Sequence, residues 1–423
     1  MKYIADFHLH SSYSRATSKN LNLDTLSEGA KIKGLDILGT GDWTHPLWLK
    51  ELKEKLEPVD DTGIFSYNGI HFTLAVEVAT LYYFENKYRH IHHNIHVSSF
   101  DIVDQINDIF SKFGNLSADG RPILKLSSAE MVERLMGIDK KILIYPNHAW
   151  TPWRAVFGKM GGFNSLEECY QDQLKNIFAL ETGLSSDPEM NWRLSKLDDI
   201  TLLSNSDAHS ANPWRIGREA NVFDFKKLSY DEIFDTIKKK DNKRFLYTIE
   251  VDPNYGKYHF SGHRDCNISL GPKDAIKLNN KCPKCGKKLT MGVLQRVEEL
   301  ADREEGYVPK NHIPFKSLLP LYEVISFVTG VSALYSKKVI AEQDKLIGHF
   351  ESEMNVLLDA GKEELLKVTN DKIADAIIKV REGKVKFEAG YDGVYGKPVF
   401  DGVIKKKTFI DQKSLSDFKG SVV

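Results

Sequence analysis

The chain begins with an apolar run that closes on two histidines. Tyr3-Ile4-Ala5 has strand character and leads through Asp6 and Phe7 to His8 and His10. Alternate side chains on a strand share a face, so both imidazoles can bind one cation. The same design recurs in Leu35 to Asp42, Phe72 to Glu77, Ile142 to His148 and Leu202 to His209, each an apolar run closing on acidic or imidazole groups. Ligands carried at the ends of separate strands converge on one place.

From Tyr3 to about Lys240 such runs alternate with amphipathic helical stretches. Asp101 to Gly114 is of the second kind, with Ile102, Val103, Ile106, Ile109, Phe110 and Phe113 at helical spacing. The alternation predicts an α/β fold with a largely parallel sheet, and polar groups at successive strand ends favour closure into a barrel. A chain of 423 residues predicts two or three domains. We divide it into residues 1–252, a short basic segment 253–305, and a mainly helical segment 306–423 with Leu318 to Val328 and Lys337 to Leu358 as helices and a hairpin over Glu388 to Gly396. No apolar run approaches the length of a membrane span and no signal-peptide pattern opens the chain, so a cytoplasmic protein is expected.

Two constellations carry chemistry. His8, His10, Glu77, His148, Asp207 and His209 fit a cluster for two or more divalent ions, with Glu77 able to bridge two of them. Such a centre serves phosphoryl displacement. The second is His263-Arg264-Asp265-Cys266 with Cys282-Pro283-Lys284-Cys285. Two-residue gaps suit a tetrahedral structural zinc held by His263, Cys266, Cys282 and Cys285, with His259 competing for the histidine place. Lys257 to Met291 holds eight Lys/Arg against two Asp, a candidate polyanion contact. A glycine turn and hydroxyl-rich helix start over Thr329 to Val339, with Lys337 and Lys338, suit backbone phosphates.

Asp6-Phe7-His8-Leu9-His10-Ser11, Glu77, Pro146-Asn147-His148 and Ser206-Asp207-Ala208-His209 resemble the PHP phosphoesterase domain. The resemblance implies a PHP-type distorted (β/α)7 barrel and up to three metals. His8, His10, Glu77 and Asp207 would hold one, and Glu77 would bridge to a second held by His148 and a histidine of the His92 to His96 cluster, for which we take His93, leaving His92 and His96 open. The third site departs from the family, because Arg15 and Ala16 stand where a ligand is usual. Asp42, His45 and His209 are its remaining candidates, and Arg15 offers a fork to a phosphate instead.

Longer stretches, among them Gly39 to Leu49, Asn147 to Trp153, Leu180 to Pro188, Ser204 to His209 and Gly390 to Gly396, resemble the endonuclease Q family. That resemblance implies cleavage of DNA on the 5′ side of a deaminated base, uracil or hypoxanthine, or of an abasic site. The cofactors expected are two or three divalent metals (Zn, Mn, Mg or Fe) and one structural zinc. The partner is lesion-bearing DNA, with room for a replication sliding clamp and none for a membrane. Trp150 and Trp153, with Trp192, are candidates for stacking on an extruded base, and Arg193, Lys284, Lys337 and Lys338 for holding DNA. Glu181 is a further candidate metal or base contact. A PHP phosphatase acting on other phosphoesters and a non-catalytic DNA-binding module are the competing readings.

Overall fold

The computed structural model describes residues 1–331, 333 and 336–400. The strands that position the site are β1 (Lys2–Asp6), β2 (Ile37–Gly39), β3 (Ile70–Phe84), β4 (Lys87–Val97), β5 (Leu143–Pro146), β6 (Ala179–Glu181), β7 (Thr201–Leu203), β8 (Ala220–Asp224), β9 (Phe245–Glu250) and β10 (Phe315–Ser317). β1 lies parallel to β2, and β2 to β3. β1 with β8, β8 with β9, β3 with β4, and β4 with β5 are antiparallel, and β10 joins parallel to β9.

The sheet is therefore mixed where strand-helix alternation predicts a largely parallel one. The reason lies at Glu85 and Asn86, which hold φ of 49° and 60°. Two such residues form the tight turn whose twist suits a hairpin, so β3 runs straight back into β4 without a crossover helix. Glu77 consequently sits in the middle of a 15-residue strand, not at a strand end.

Both faces of β1 are covered. Ile4 enters the larger core, whereas Ala5 and Phe7 enter a second one with Phe223 and Phe245. Among the described residues β6 and β7 pair only with each other as a parallel ladder, and hydrogen bonds from Ser204 and Asn205 tie them to the end of β1, to β8 and to β9. The Phe7 N–H donates to Asn205 Oδ1 at 3.0 Å, Asn221 Nδ2 donates to the same oxygen at 2.9 Å, and the Ser204 hydroxyl donates to the Ile249 carbonyl at 2.6 Å. The helix expected over Asp101 to Gly114 spans Phe100–Phe110, capped by the Ser99 hydroxyl and burying Val103, Ile106 and Phe110.

Beyond β9, Ser261–His263 and Ile268–Leu270 form a small hairpin around a core of Ala275, Cys282 and Leu289. The helices Leu321–Thr329 and Lys337–Phe350 follow. The second ends eight residues before the predicted Leu358, because Glu351 adopts φ 70° and the chain turns Glu353 inward onto Lys33 at 2.6 Å. Lys386–Glu388 pairs with Lys397–Val399 as the expected C-terminal hairpin, and its loop meets the cysteine-bearing segment through the Arg264 N–H, which donates to Asp392 at 2.7 Å. Among the described residues no helix is long and apolar enough to cross a membrane.

Candidate metal centre

Leu9 forms a parallel bridge with Ala208. Neighbours of a bridged pair point to the opposite face, so His8 and His10 lie beside Asp207 and His209. Asp6 fixes this alignment, accepting from the Ser206 N–H at 3.1 Å and the Gly217 N–H at 2.9 Å. One ligand atom each from His8, His10, Glu77 and Asp207 lies within 4.8 Å of the others, and Glu77, His92 and His148 form an adjoining group of the same kind. Glu77 divides itself between them. Its Oε2 faces His10 Nε2 at 3.4 Å and His8 Nε2 at 3.7 Å, and its Oε1 faces His92 at 2.6 Å and His148 at 3.1 Å.

The histidines are oriented from behind. His8 Nδ1 donates to Glu181 at 3.0 Å and His10 Nδ1 to Asp42 at 3.0 Å, which leaves each Nε2 turned to the centre, the arrangement that metal-ligating imidazoles use. Glu181 also accepts from the His148 N–H at 2.9 Å and Asn205 Nδ2 at 2.9 Å, so it acts through these groups and not as a ligand. Asp42, His148 and Asp207 hold φ of 49°, 32° and 47°. Such left-handed backbone costs about 1–3 kcal/mol per residue and persists where packing over-determines it.

Charge balance suits cations. Burial, the largest influence on His8, disfavours its imidazolium, yet Glu181, Asp207 and Glu77 together raise its pKa well above the ordinary value. Burial likewise opposes His10, and Asp42 and Asp207 carry it up to about 9. Burial works against the Glu77 carboxylate, but the charges of Arg121 and His8 and the hydrogen bond from His148 hold it well below the usual range. His92 differs: burial pushes it down to about 3 against the pull of Glu77, so its imidazole is neutral and a ready ligand.

Several expectations need correction. His93 is on the wrong face: it lies opposite Val78 in the hairpin ladder while His92 lies opposite Ala79, two residues from Glu77 on the same side. Its ring is spent on Tyr170 at 2.9 Å, Thr80 at 3.1 Å and Ser128 at 3.2 Å. His96 meets Tyr145 at 3.0 Å. Asp42, His45 and His209 do not assemble a third group. Asp42 is engaged by His10 and Ser11, His45 stacks on Tyr13, and His209 lies against Asp207 and His10. Arg15 points outward to Asp119 at 3.4 Å, and Arg121, which no sequence pattern marks, reaches Glu77 Oε2 at 2.9 Å.

Trp150 is buried and donates to Asn191 at 2.8 Å, and Trp192 packs on His312 and Phe315, so both are core. Trp153 is 47% exposed beside Tyr258. Arg193 is bound to Glu298 at 2.8 Å, a link between elements. Lys284, Lys337 and Lys338 are exposed. In the Thr329 to Val339 turn, Ser332, Leu334 and Tyr335 lie outside the described residues.

In the second constellation His263, Cys266, Cys282 and Cys285 bring their ligand atoms within 4.8 Å. His259 is apart, its Nδ1 buried and without a partner. Gly286 at φ +74° lets its N–H reach the Cys282 carbonyl at 2.8 Å, the tight turn of a zinc knuckle. Burial disfavours the Cys282 thiolate, but the N–H groups of Cys285 and Lys284 help bring it down to about 6.

Fold and site together define a mixed α/β protein with two adjoining histidine-carboxylate groups and a separate four-ligand cysteine-histidine cluster. Residues 320–384 match the family model described as the MJ0043 C-terminal domain. The uncharacterized protein MJ0043 of Methanocaldococcus jannaschii is 37% identical over 257 residues, 60% of this chain but only 32% of that protein. The uncharacterized protein YqxK of Bacillus subtilis is 32% identical over 415 residues, 94% of this chain and 99% of its own. The crystal structure of the lesion-specific endonuclease PfuEndoQ from Pyrococcus furiosus superposes with a TM-score of 0.85 at 36% identity, covering 94% of this chain and 95% of that one. Endonuclease Q in complex with a 27-mer duplex bearing an abasic lesion gives 0.84 at 35% identity, over 95% and 97%. The chain belongs to the endonuclease Q family.

Proposed function

We propose that this protein is a metal-dependent DNA repair nuclease with a PHP-type barrel, hydrolysing the phosphodiester 5′ to a deaminated base, uracil or hypoxanthine, or to an abasic site, in the cytoplasm. The observation that carries the reading is the division of Glu77, one oxygen toward His8 and His10 and the other toward His92 and His148, in a chain similar throughout to lesion-specific and lesion-bound endonuclease Q structures. The donor set, imidazoles and carboxylates on one point, fits zinc, manganese or iron and tolerates magnesium.

His8, His10, Glu77 and Asp207, with His92 and His148 beside them, would hold divalent cations, which when bound would supply Lewis-acid activation of water and offset charge on the leaving 3′ oxygen. The chain does the positioning. Glu181 and Asp42 hold His8 and His10 through Nδ1, Asp6 anchors the segment that presents Asp207, and Asp207, His148 and His209 with side chains 31%, 12% and 34% exposed form the mouth through which a phosphate enters. Extruding the damaged nucleotide brings its 5′ phosphate to that mouth at lower cost than for a paired base. Trp153, Lys284, Lys337 and Lys338 are the exposed groups we assign to DNA, and a structural zinc on His263, Cys266, Cys282 and Cys285 orders a segment whose own core is too small to fold it.

The test uses duplexes with one deoxyuridine, one deoxyinosine, one abasic site or no lesion, mapped at nucleotide resolution. A nick 5′ to each lesion and none in the undamaged duplex is expected. Equal cleavage of all four, or turnover of small phosphoesters alone, would overturn the reading.

A further inference from the structure

The centre contains a positive group that the metal-ligand pattern does not account for. Arg121 is largely enclosed, its side chain 15% exposed, and its Nη1 lies 2.9 Å from Glu77 Oε2. This oxygen faces the group of His8, His10 and Asp207. Three other arginines near the motifs are held elsewhere, Arg193 by Glu298, Arg218 by the Ser206 carbonyl and Arg15 by Asp119.

The loop before Arg121 is fastened so as to aim it. The Gly120 N–H donates to the Tyr13 carbonyl at 3.0 Å and the Thr44 hydroxyl donates to the Gly120 carbonyl at 3.1 Å. A Cβ on Gly120 would collide with the Asp42 carboxylate and the Ser14 hydroxyl, so glycine alone permits this approach. Asp119 accepts the N–H groups of Arg15 and Arg121, each at 3.2 Å, and pairs with the Arg15 side chain. Arg15 thus acts at one remove: it pins the loop that delivers a guanidinium to the centre, on the side where Asp42 is already spent on His10 and Ser11.

We propose that Arg121 holds the scissile phosphate, supplying the positive charge that Asp42, His45 and His209 do not gather as a third cation site. A guanidinium has five N–H donors in a planar fork, of which the pair with Glu77 engages Nη1. With Glu77 engaged by cations, the N–H groups of the fork would be released to donate to a nonbridging oxygen of a phosphate at the centre. No bond is made or broken by Arg121; it positions the phosphate and offsets charge as the phosphoryl group is transferred. The inference rests on the nuclease reading for its substrate, while its anion-binding claim stands independently.

The experiment compares metal-loaded wild type with Arg121→Gln and Arg121→Lys, folding being checked by thermal melting. Metal content per chain is expected to be unchanged in both. Single-turnover nicking of the lesion duplex should fall about 100-fold in Arg121→Gln, the scale of losing one charge-stabilising donor, and Arg121→Lys should recover only part of it, because an ammonium lacks the fork. Inorganic phosphate titrated by calorimetry should bind Arg121→Gln at least about tenfold more weakly, in keeping with loss of a charge-assisted bond. Unchanged phosphate affinity, or loss of metal from the variants, would overturn the proposal by making Arg121 a structural partner of Glu77. If Arg121→Gln does not fold, a Lys variant with full wild-type rate and phosphate affinity would overturn it equally. A wild type that binds phosphate through Arg121 yet never nicks lesion DNA would sink the nuclease reading and leave the anion site standing.

Discussion

His92 and His93 are adjacent, both buried, and opposite in function. In an antiparallel ladder, directly opposed residues share a face; His92 opposes Ala79, and His93 opposes Val78. His92→Gln removes a ring nitrogen 2.6 Å from Glu77 Oε1, one of the three candidate ligands of its group. Removing a group that merely orients a ligand costs about 10–100-fold in metal affinity, so loss of the ligand itself should cost at least about 1.4–2.7 kcal/mol. His93→Gln instead disturbs the hydrogen bonds to Tyr170, Thr80 and Ser128, and a buried polar group left unpaired costs about 1–3 kcal/mol of folding stability. Metal analysis and melting of the stripped protein separate the two. His92→Gln should lose about one ion per chain with near-normal melting once stripped, and His93→Gln should keep its ions and melt a few degrees lower, the scale set by about 2–4 °C per kcal/mol in larger domains. Metal loss in His93→Gln with retention in His92→Gln would refute the register argument.

Two further perturbations probe the frame around the centre. Lys33, on the helix Leu23–Lys33, and Glu353 form an ion pair at 2.6 Å with side chains 1% and 0% exposed, and Glu353 also accepts the Leu321 N–H at 3.0 Å; Lys33→Met should destabilise by about 3–5 kcal/mol in urea unfolding, and the double variant with Glu353→Leu should recover only part because the Leu321 N–H then lacks its acceptor. A coupling energy under about 0.5 kcal/mol in that cycle would show that the pair does not join the two segments. Glu250 is the pH probe: burial pushes its carboxyl up from 4.5 to about 8 although Thr248 and Thr182 donate to it. Between those values the unfolded chain has lost the proton and the folded chain keeps it, so stability falls as pH rises through the window; Glu250→Gln should flatten the decline in unfolding free energy between pH 5 and 8, and an identical slope in both proteins would exclude Glu250 as its source.

What was legible in the sequence was what side-chain chemistry alone specifies. His8, His10, Glu77, His148 and Asp207 are polar groups within or closing apolar runs, which marks them as a set, and Cys282 and Cys285 stand at the two-residue gap that suits a tetrahedral ion. What was not legible depended on register. Choosing His93 over His92 turns on the pairing of β3 with β4, and that pairing follows from positive φ at Glu85 and Asn86, residues without the Asn-Gly signature of such turns. Trp150 and Trp192 are candidates for stacking although core packing is the commoner fate of tryptophan, and their burial decides for the core. The helix continuing past Phe350 is what the apolar pattern suggests; its break reflects Glu353 reaching a lysine 320 positions away.

Arg121 shows the deeper limit. A metal ligand is recognisable because few residue types can serve and strands present them at fixed spacing, whereas a phosphate-facing arginine is one of many surface-compatible cations on a loop with no periodicity. Its meaning comes from three distant constraints acting together: Tyr13 and Thr44 bond the backbone at Gly120, the missing Cβ of Gly120 admits Asp42, and Asp119 joins Arg15 to the loop. Arg15, standing where the PHP resemblance leads one to expect a ligand, thus serves the loop that carries Arg121, and Asp42, bonded to His10 Nδ1, keeps the His10 Nε2 turned toward Glu77 and Asp207.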